Sequence, residues 1–138
     1  MRRHGRLVVL AIALCALGCL GSAGMAGAEG SSPGELGAWK GKTKQGFPVY
    51  FRVTSEGVTN IRFTYRESIC GKQSPHDPTT TLGIDEAAHF AGAIYSGRLE
   101  FEGSFVSPTQ VKGRLIALET TGLPGCLRQV VGFTANPR

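Results

Sequence analysis

The stretch G-R-L-E-F-E-G-S-F-V-S-P-T-Q-V-K-G-R-L-I-A-L, Gly97 to Leu118, decides the fold, because it reads as one complete β-hairpin. Leu99, Phe101 and Phe105 share one parity while Glu100, Glu102 and Ser104 share the other, the period of a strand with one dry face and one wet face. After Val106-Ser107-Pro108 the pattern resumes with Val111, Gly113 and Leu115 against Lys112 and Arg114. A register pairing Leu99 with Leu115, Phe101 with Gly113, Glu100 with Arg114 and Glu102 with Lys112 matches apolar to apolar and acid to base. That is the chemistry of a scaffold.

Upstream, two glycine-bearing turns repeat the device. Trp39, Gly41 and Thr43 lead into Lys44-Gln45-Gly46, and Phe47, Val49, Phe51 and Val53 continue on one parity, which sets Trp39 opposite Phe51 and Gly41 opposite Val49. Ser55-Glu56-Gly57 reads as a second three-residue turn, placing Thr54 against Val58, Phe51 against Ile61 and Val49 against Phe63. The third strand is expected to run on from Val58 to Ile69 and Cys70. Residues 71–86 then lose periodicity and read as one long loop holding His76, Asp77, Asp85 and Glu86, a candidate loop site. A short strand is expected around Phe90 within Ala87 to Ile94, and a second loop over Glu119 to Gly125. From Cys126 to Ala135 the pattern resembles a strand buried on both sides. Laid antiparallel beside Val58 to Cys70 it pairs Phe63 with Phe133, Tyr65 with Val131 and Cys70 with Cys126.

The start of the chain is a targeting signal by pattern. Arg2, Arg3 and Arg6 precede an apolar run, Val8 to Leu20, too short for a bilayer span, and Ala26-Gly27-Ala28 forms an A-x-A cleavage site. Residues 1–28 are therefore expected to leave as a signal peptide, 29–36 to form a flexible lead-in, and 37–138 to form a single β-domain with no transmembrane segment. The product is secreted, periplasmic or on the cell surface. Ala16-Leu17-Gly18-Cys19 resembles a lipobox, so a lipoprotein acylated at Cys19 is the second reading. The formal charge of +5 falls to +2 once the three leader arginines go, which argues against a nucleic-acid partner.

Cys70 and Cys126 are the only cysteines after the leader, and in an exported chain the simplest reading is one disulfide. No cofactor or metal is expected, since no C-x-x-C occurs and His76 and His89 have no ligand spacing to the cysteines. There is no G-x-S-x-G, and Glu100 and Glu102, which share a strand face, are expected to be matched by bases across the hairpin, so the chain reads as no enzyme. The fold class is all-β, an antiparallel β-sandwich or flattened barrel of six to eight short strands with one disulfide.

The order G-A-W-K-G-K-T-K-Q-G-F-P-V-Y-F-R-V, I-R-F-T-Y, Cys70, F-E-G-S-F-V-S-P, K-G-R-L, Cys126 and V-G-F-T-A resembles small exported bacterial β-sandwich domains of uncharacterised function. The resemblance spans nearly all the chain after the leader and implies a fold without any catalytic residue. What remains is surface chemistry. Lys40, Lys42, Lys44, Tyr50, Arg52, Arg62 and Arg66 are expected on one exposed face, a candidate binding surface for an anionic cell-envelope polymer or an extracellular protein. Lysine and arginine there also suppress edge-to-edge aggregation. A non-catalytic binding or structural module of the bacterial exterior is the leading expectation, with a loop-presenting inhibitor of an extracellular enzyme second and a small hydrolase third.

Overall fold

The computed structural model describes residues 33–118 and 128–138. The expected leader with Cys19, the 119–125 loop and Cys126 lie outside the described residues. Among the described residues ten strands follow in order: β1 Gly37–Thr43, β2 Pro48–Val53, β3 Val58–Phe63, β4 Tyr65–Glu67, β5 Gly71–Gln73, β6 His76–Asp77, β7 His89–Ile94, β8 Leu99–Ser107, β9 Gln110–Ala117 and β10 Gln129–Pro137. There is no helix among the described residues.

Eight strands form one antiparallel sheet in the order β6-β3-β2-β1-β10-β9-β8-β7, and β4 and β5 form a separate ribbon. Read around from β1, the neighbours follow the chain, so the sheet is an up-and-down meander whose last strand returns to pair with its first. The remaining gap between β3 and β7 is spanned by residues 82–84. Leu82 and Val58 exchange both backbone hydrogen bonds at 2.8 Å, and Ile84 bridges Phe90. The result is a nearly closed barrel, and closure is what removes sheet edges that would otherwise recruit other strands.

An eight-stranded barrel is just wide enough for side chains to fill. Here Trp39, Phe51, Phe63, Phe90, Phe101, Phe105 and Phe133 are all buried inside it. Phe101 and Phe133 stack at 4.9 Å with their planes 4° apart, and Trp39 meets Phe105 edge-on at 5.5 Å. Facing glycines on β8 and β9, Gly103 and Gly113, leave the room these rings occupy: a Cβ on Gly103 would stand 2.6 Å from Phe90, and one on Gly113 2.5 Å from Phe133.

The ladders agree with the sequence reading in face but not always in register. Trp39 faces Phe51 and Gly41 faces Val49 as expected. The Gly97 to Leu118 hairpin is shifted by two residues: Phe101 faces Leu115, Glu102 faces Arg114, Gly103 faces Gly113 and Glu100 faces Ile116. Pro108-Thr109 makes a two-residue turn closed by Ser107 and Gln110, and an irregularity at the exposed Val106 absorbs the extra residue. A two-residue shift keeps every side chain on its face, so the alternation alone did not distinguish the two registers.

The second turn is also tighter than expected. Thr54 and Gly57 close it with bonds of 2.9 and 3.3 Å, leaving only Ser55 and Glu56 in the loop. That offset would turn Ile61 and Phe63 outward; a bulge between the Tyr50–Arg62 and Arg52–Thr59 pairs restores them, and its extra residue, Asn60, adopts a left-handed φ of 51°.

Three long-range expectations are corrected. The third strand ends at Phe63, and Tyr65–Glu67 turns back on Gly71–Gln73, so Cys70 sits in a ribbon turn rather than at a strand end. The last strand lies between β1 and β9, not beside β3. Phe63 and Phe133 do meet, at 6.2 Å, but across the barrel interior. Nor is β10 buried on both sides: Val131, Phe133 and Ala135 face in while Val130 is 53% exposed. Residues 33–36, within the stretch read as a flexible lead-in, are tied down, with Glu35 N donating to Pro108 O at 3.0 Å and Trp39 Nε1 to Glu35 O at 2.8 Å.

Candidate functional site

Pleating sets the site. On β1, β2 and β3 the inward parity is apolar, so the outward parity carries the polar residues to solvent. The ladders align five of them in a row across five strands, Asn136–Lys40–Tyr50–Arg62–His76. Lys40 Nζ lies 5.8 Å from the centre of the half-buried Tyr50 ring, within cation–π range.

Beside this row is an open groove of about 420 Å³ lined by Ala38, Tyr50, Arg52, Asn60, Arg62 and Arg138, with Trp39 and Phe51 at its base. Arg52, Arg62 and Arg138 are exposed, no Asp or Glu side chain lines the groove, and none of the three side chains forms an ion pair with a described residue. The bulge supplies Asn60, whose Oδ1 lies 2.8 Å from His76 Nε2. Arg138 arrives through the β1–β10 pairing, its N donating to Ala38 O at 2.9 Å.

Of the residues expected on the basic face, Tyr50, Arg52 and Arg62 line the groove, Lys40 adjoins it and Lys42 is further along β1. Lys44 belongs to the β1–β2 turn, where its N donates to Gly132 O. Arg66 lies on the β4–β5 ribbon, held by paired 2.9 Å bonds between its backbone and the Gln45 amide. Asn60 and Arg138 were not among the sequence candidates.

The loop candidates are not brought together. Residues 71–86 are tied into the fold rather than looping free: His76 and Asp77 pair with Arg62 and Ile61, and His76 is exposed where Asp77 is buried. The Asp77 carboxylate accepts from Thr79 N, Thr79 Oγ1 and Thr80 N at one oxygen and from Thr80 Oγ1 and Tyr95 N at the other. Burial works to raise its pKa, but the hydrogen bonds from Tyr95, Thr80 and Thr79 outweigh it and hold the group well below the usual carboxylate range. With both oxygens engaged, Asp77 is a structural clasp. Asp85 caps His89, accepting from its N at 2.8 Å with its other oxygen 3.6 Å from Nδ1, and Glu86 is exposed.

Among the described residues no group of three His, Cys, Asp or Glu side chains is placed to hold a metal ion. Glu102 is matched by Arg114, which bonds it directly. The remaining buried acid, Glu67, neighbours the buried Tyr65 on the ribbon, and burial together with Glu67 pushes the Tyr65 phenol up to about 12. The chemistry on offer at the surface is thus cationic and hydrogen-bond donating. Comparison with family models, curated proteins and solved structures found no match.

Proposed function

We propose that this chain is an exported bacterial binding module without catalytic activity, and that it holds an anionic polymer of the cell envelope against the face of β1, β2 and β3. The observation that carries the reading is the groove, where three arginines and a tyrosine stand together with no Asp or Glu side chain in the lining. Like charges gathered on one face repel one another, and a polyanion relieves that repulsion while releasing its own counterions. Because aromatic rings fill the barrel, the outer wall is the surface left for recognition.

Export rests on the leader pattern of residues 1–28 and on the cysteine pair. The Cys70–Cys126 bridge is supported by where its neighbours lie. Gln45 ties the Cys70 ribbon to the β1–β2 turn, the same turn bonds Gly132 of β10 through Lys44, and Gln129 pairs with Ala117. Both flanks of the segment containing Cys126 therefore share the ribbon's end of the barrel.

The test is retention of the processed protein on phosphate-bearing cell-wall polymer. Retention is expected at low salt and release at high salt, because exposed charges are screened within about 10 Å at 0.1 M. Reversing two charges, Lys42→Glu with Arg62→Glu, is expected to abolish it. Equal retention of wild type and the double variant would overturn the reading.

A further inference from the structure

The groove offers something more specific than positive charge. Arginine carries five N–H donors and no acceptor. Asn60 has its Oδ1 opposite His76, which leaves its NH₂ as the free end. Among the remaining polar side chains of the lining, only the Tyr50 hydroxyl can also accept. A neutral sugar, whose hydroxyls donate as well as accept, would leave its donors unmatched against such a lining, whereas a group made only of acceptors would be fully satisfied.

Charge narrows the class. A carboxylate brings one negative charge and is satisfied by a single guanidinium fork, which would leave two of the three arginines uncompensated. A phosphate monoester carries about −1.5 to −2 at neutral pH and offers three strong acceptor oxygens, one for each guanidinium, and it offsets more of their charge than a carboxylate does. The three guanidiniums come from separate segments, β2, β3 and the residue after β10, so one phosphate can be met by all three.

The backbone adds an independent observation. Asn60 holds a left-handed φ of 51° inside a strand, and the bulge it creates places Thr59 and Asn60 consecutively outward beside Arg52 and Arg62. Bulges re-aim side chains at sites, and asparagine accepts the left-handed φ that this one requires.

We propose that the groove of Tyr50, Arg52, Asn60, Arg62 and Arg138 is a phosphate-monoester site. This assignment rests on the binding-module reading above and names the group recognised. A terminal phosphate on an envelope polymer and a phosphate-bearing lipid headgroup present the same chemistry, and the sources separate by experiment.

The test is titration of the intact, processed protein with glucose 6-phosphate, glucose 6-sulfate, glucuronate and glucose at equal ionic strength, followed by amide chemical shifts. Saturable shifts confined to β2, β3 and Arg138 are expected with the phosphate, at least about tenfold weaker binding with sulfate and glucuronate, and none with glucose. Arg52→Gln and Arg138→Gln are each expected to weaken phosphate binding about tenfold or more, whereas Lys112→Gln on the far wall leaves it unchanged. Glucuronate binding as tightly as the phosphate, or Arg52→Gln and Arg138→Gln both binding like wild type, would overturn the assignment. Salt-sensitive polymer retention without saturable phosphate binding overturns this site and leaves the module reading standing. Competition identifies the source: displacement of bound glucose 6-phosphate by the phosphate-bearing cell-wall polymer or by vesicles containing phosphatidic acid supports the site, and displacement by neither refutes it.

Discussion

Asp77 is expected to be a highly sensitive polar position of the barrel, although it belongs to a two-residue strand. Its carboxylate is 5% exposed and joins two parts of the wall: Thr79 and Thr80 where the chain turns toward the Leu82 bridge, and Tyr95 N, at 2.6 Å, where β7 ends. Tyr95 and Ser96 have φ of 52° and 57°, so the turn that donates this bond is strained and needs an anchor. Asp77→Ala removes the acceptor for three backbone N–H groups, each costing about 1 kcal/mol or somewhat more, for a total of about 3 to 4 kcal/mol. In a domain of this size that lowers the melting temperature by about 15 °C. Asp77→Asn keeps one acceptor but turns an NH₂ toward donors, and is expected to lie between wild type and Asp77→Ala. The pH dependence follows from the depressed pKa. Below the ordinary value of 3.8 the unfolded chain takes up a proton that the folded one refuses, so stability is lost as pH falls from there toward the lower folded value. Circular-dichroism melts across the acid range, with exchange of the Tyr95 amide, measure both effects. An Asp77→Ala protein melting within about 2 °C of wild type, or an Asp77→Asn protein with an unchanged acid limb, would refute the clasp.

At the alkaline end the sign reverses. Tyr65 keeps its proton up to about 12 against an ordinary 10.0, so stability present below pH 10 is lost as pH rises between those values, and Tyr65→Phe flattens that loss in alkaline melts. Gly57→Ala is expected to loosen barrel closure, because φ is 141° there and a Cβ would stand 2.1 Å from Leu82 O. Faster exchange of the Leu82 and Val58 amides, with β8 and β9 unaffected, is the readout. Cys70→Ser with Cys126→Ser is expected to leave the far-ultraviolet spectrum intact and to cost about 4 kcal/mol for the 56-residue span, read as a lower melting temperature. Two free thiols by labelling in the exported wild type would remove the bridge.

Period-2 alternation made the strands legible, and the short turn after Thr43 made one register legible too. Register and neighbour choice failed elsewhere for separate reasons. A shift of two residues is silent to face patterning, which is why the Gly97 to Leu118 hairpin fitted two pairings. The sequence reading matched acids to bases at Glu100 and Arg114, but exposed pairs contribute below about 1 kcal/mol and do not outvote turn geometry at Pro108. Strand order was harder still. Phe63 and Phe133 suit each other as ladder partners and as contacts across a filled interior, and residue types alone do not separate those cases. Closure decides it: only with β10 between β1 and β9 does the meander end without an open edge there.

The groove was half legible for a related reason. Tyr50, Arg52 and Arg62 follow from alternation, so the sequence exposes them as a basic face. Asn60 shares their outward parity, but an uncharged residue gives no signal in a face read by its charge; what regular alternation does misplace is Val58, and an outward valine is the sign that a bulge must intervene. Once Val58 turns in to meet Val53, Ile61 can return to the core only if one residue is left over. The residue left over is an asparagine, among the few non-glycine types that accept a left-handed φ, and it stands between Arg52 and Arg62. Arg138 depends in turn on β10 lying beside β1. The bulge in β3 and the pairing of β10 with β1 therefore together bring Asn60 and Arg138 beside Arg52 and Arg62, and of the two the strand order is the one that residue types along the chain do not reveal.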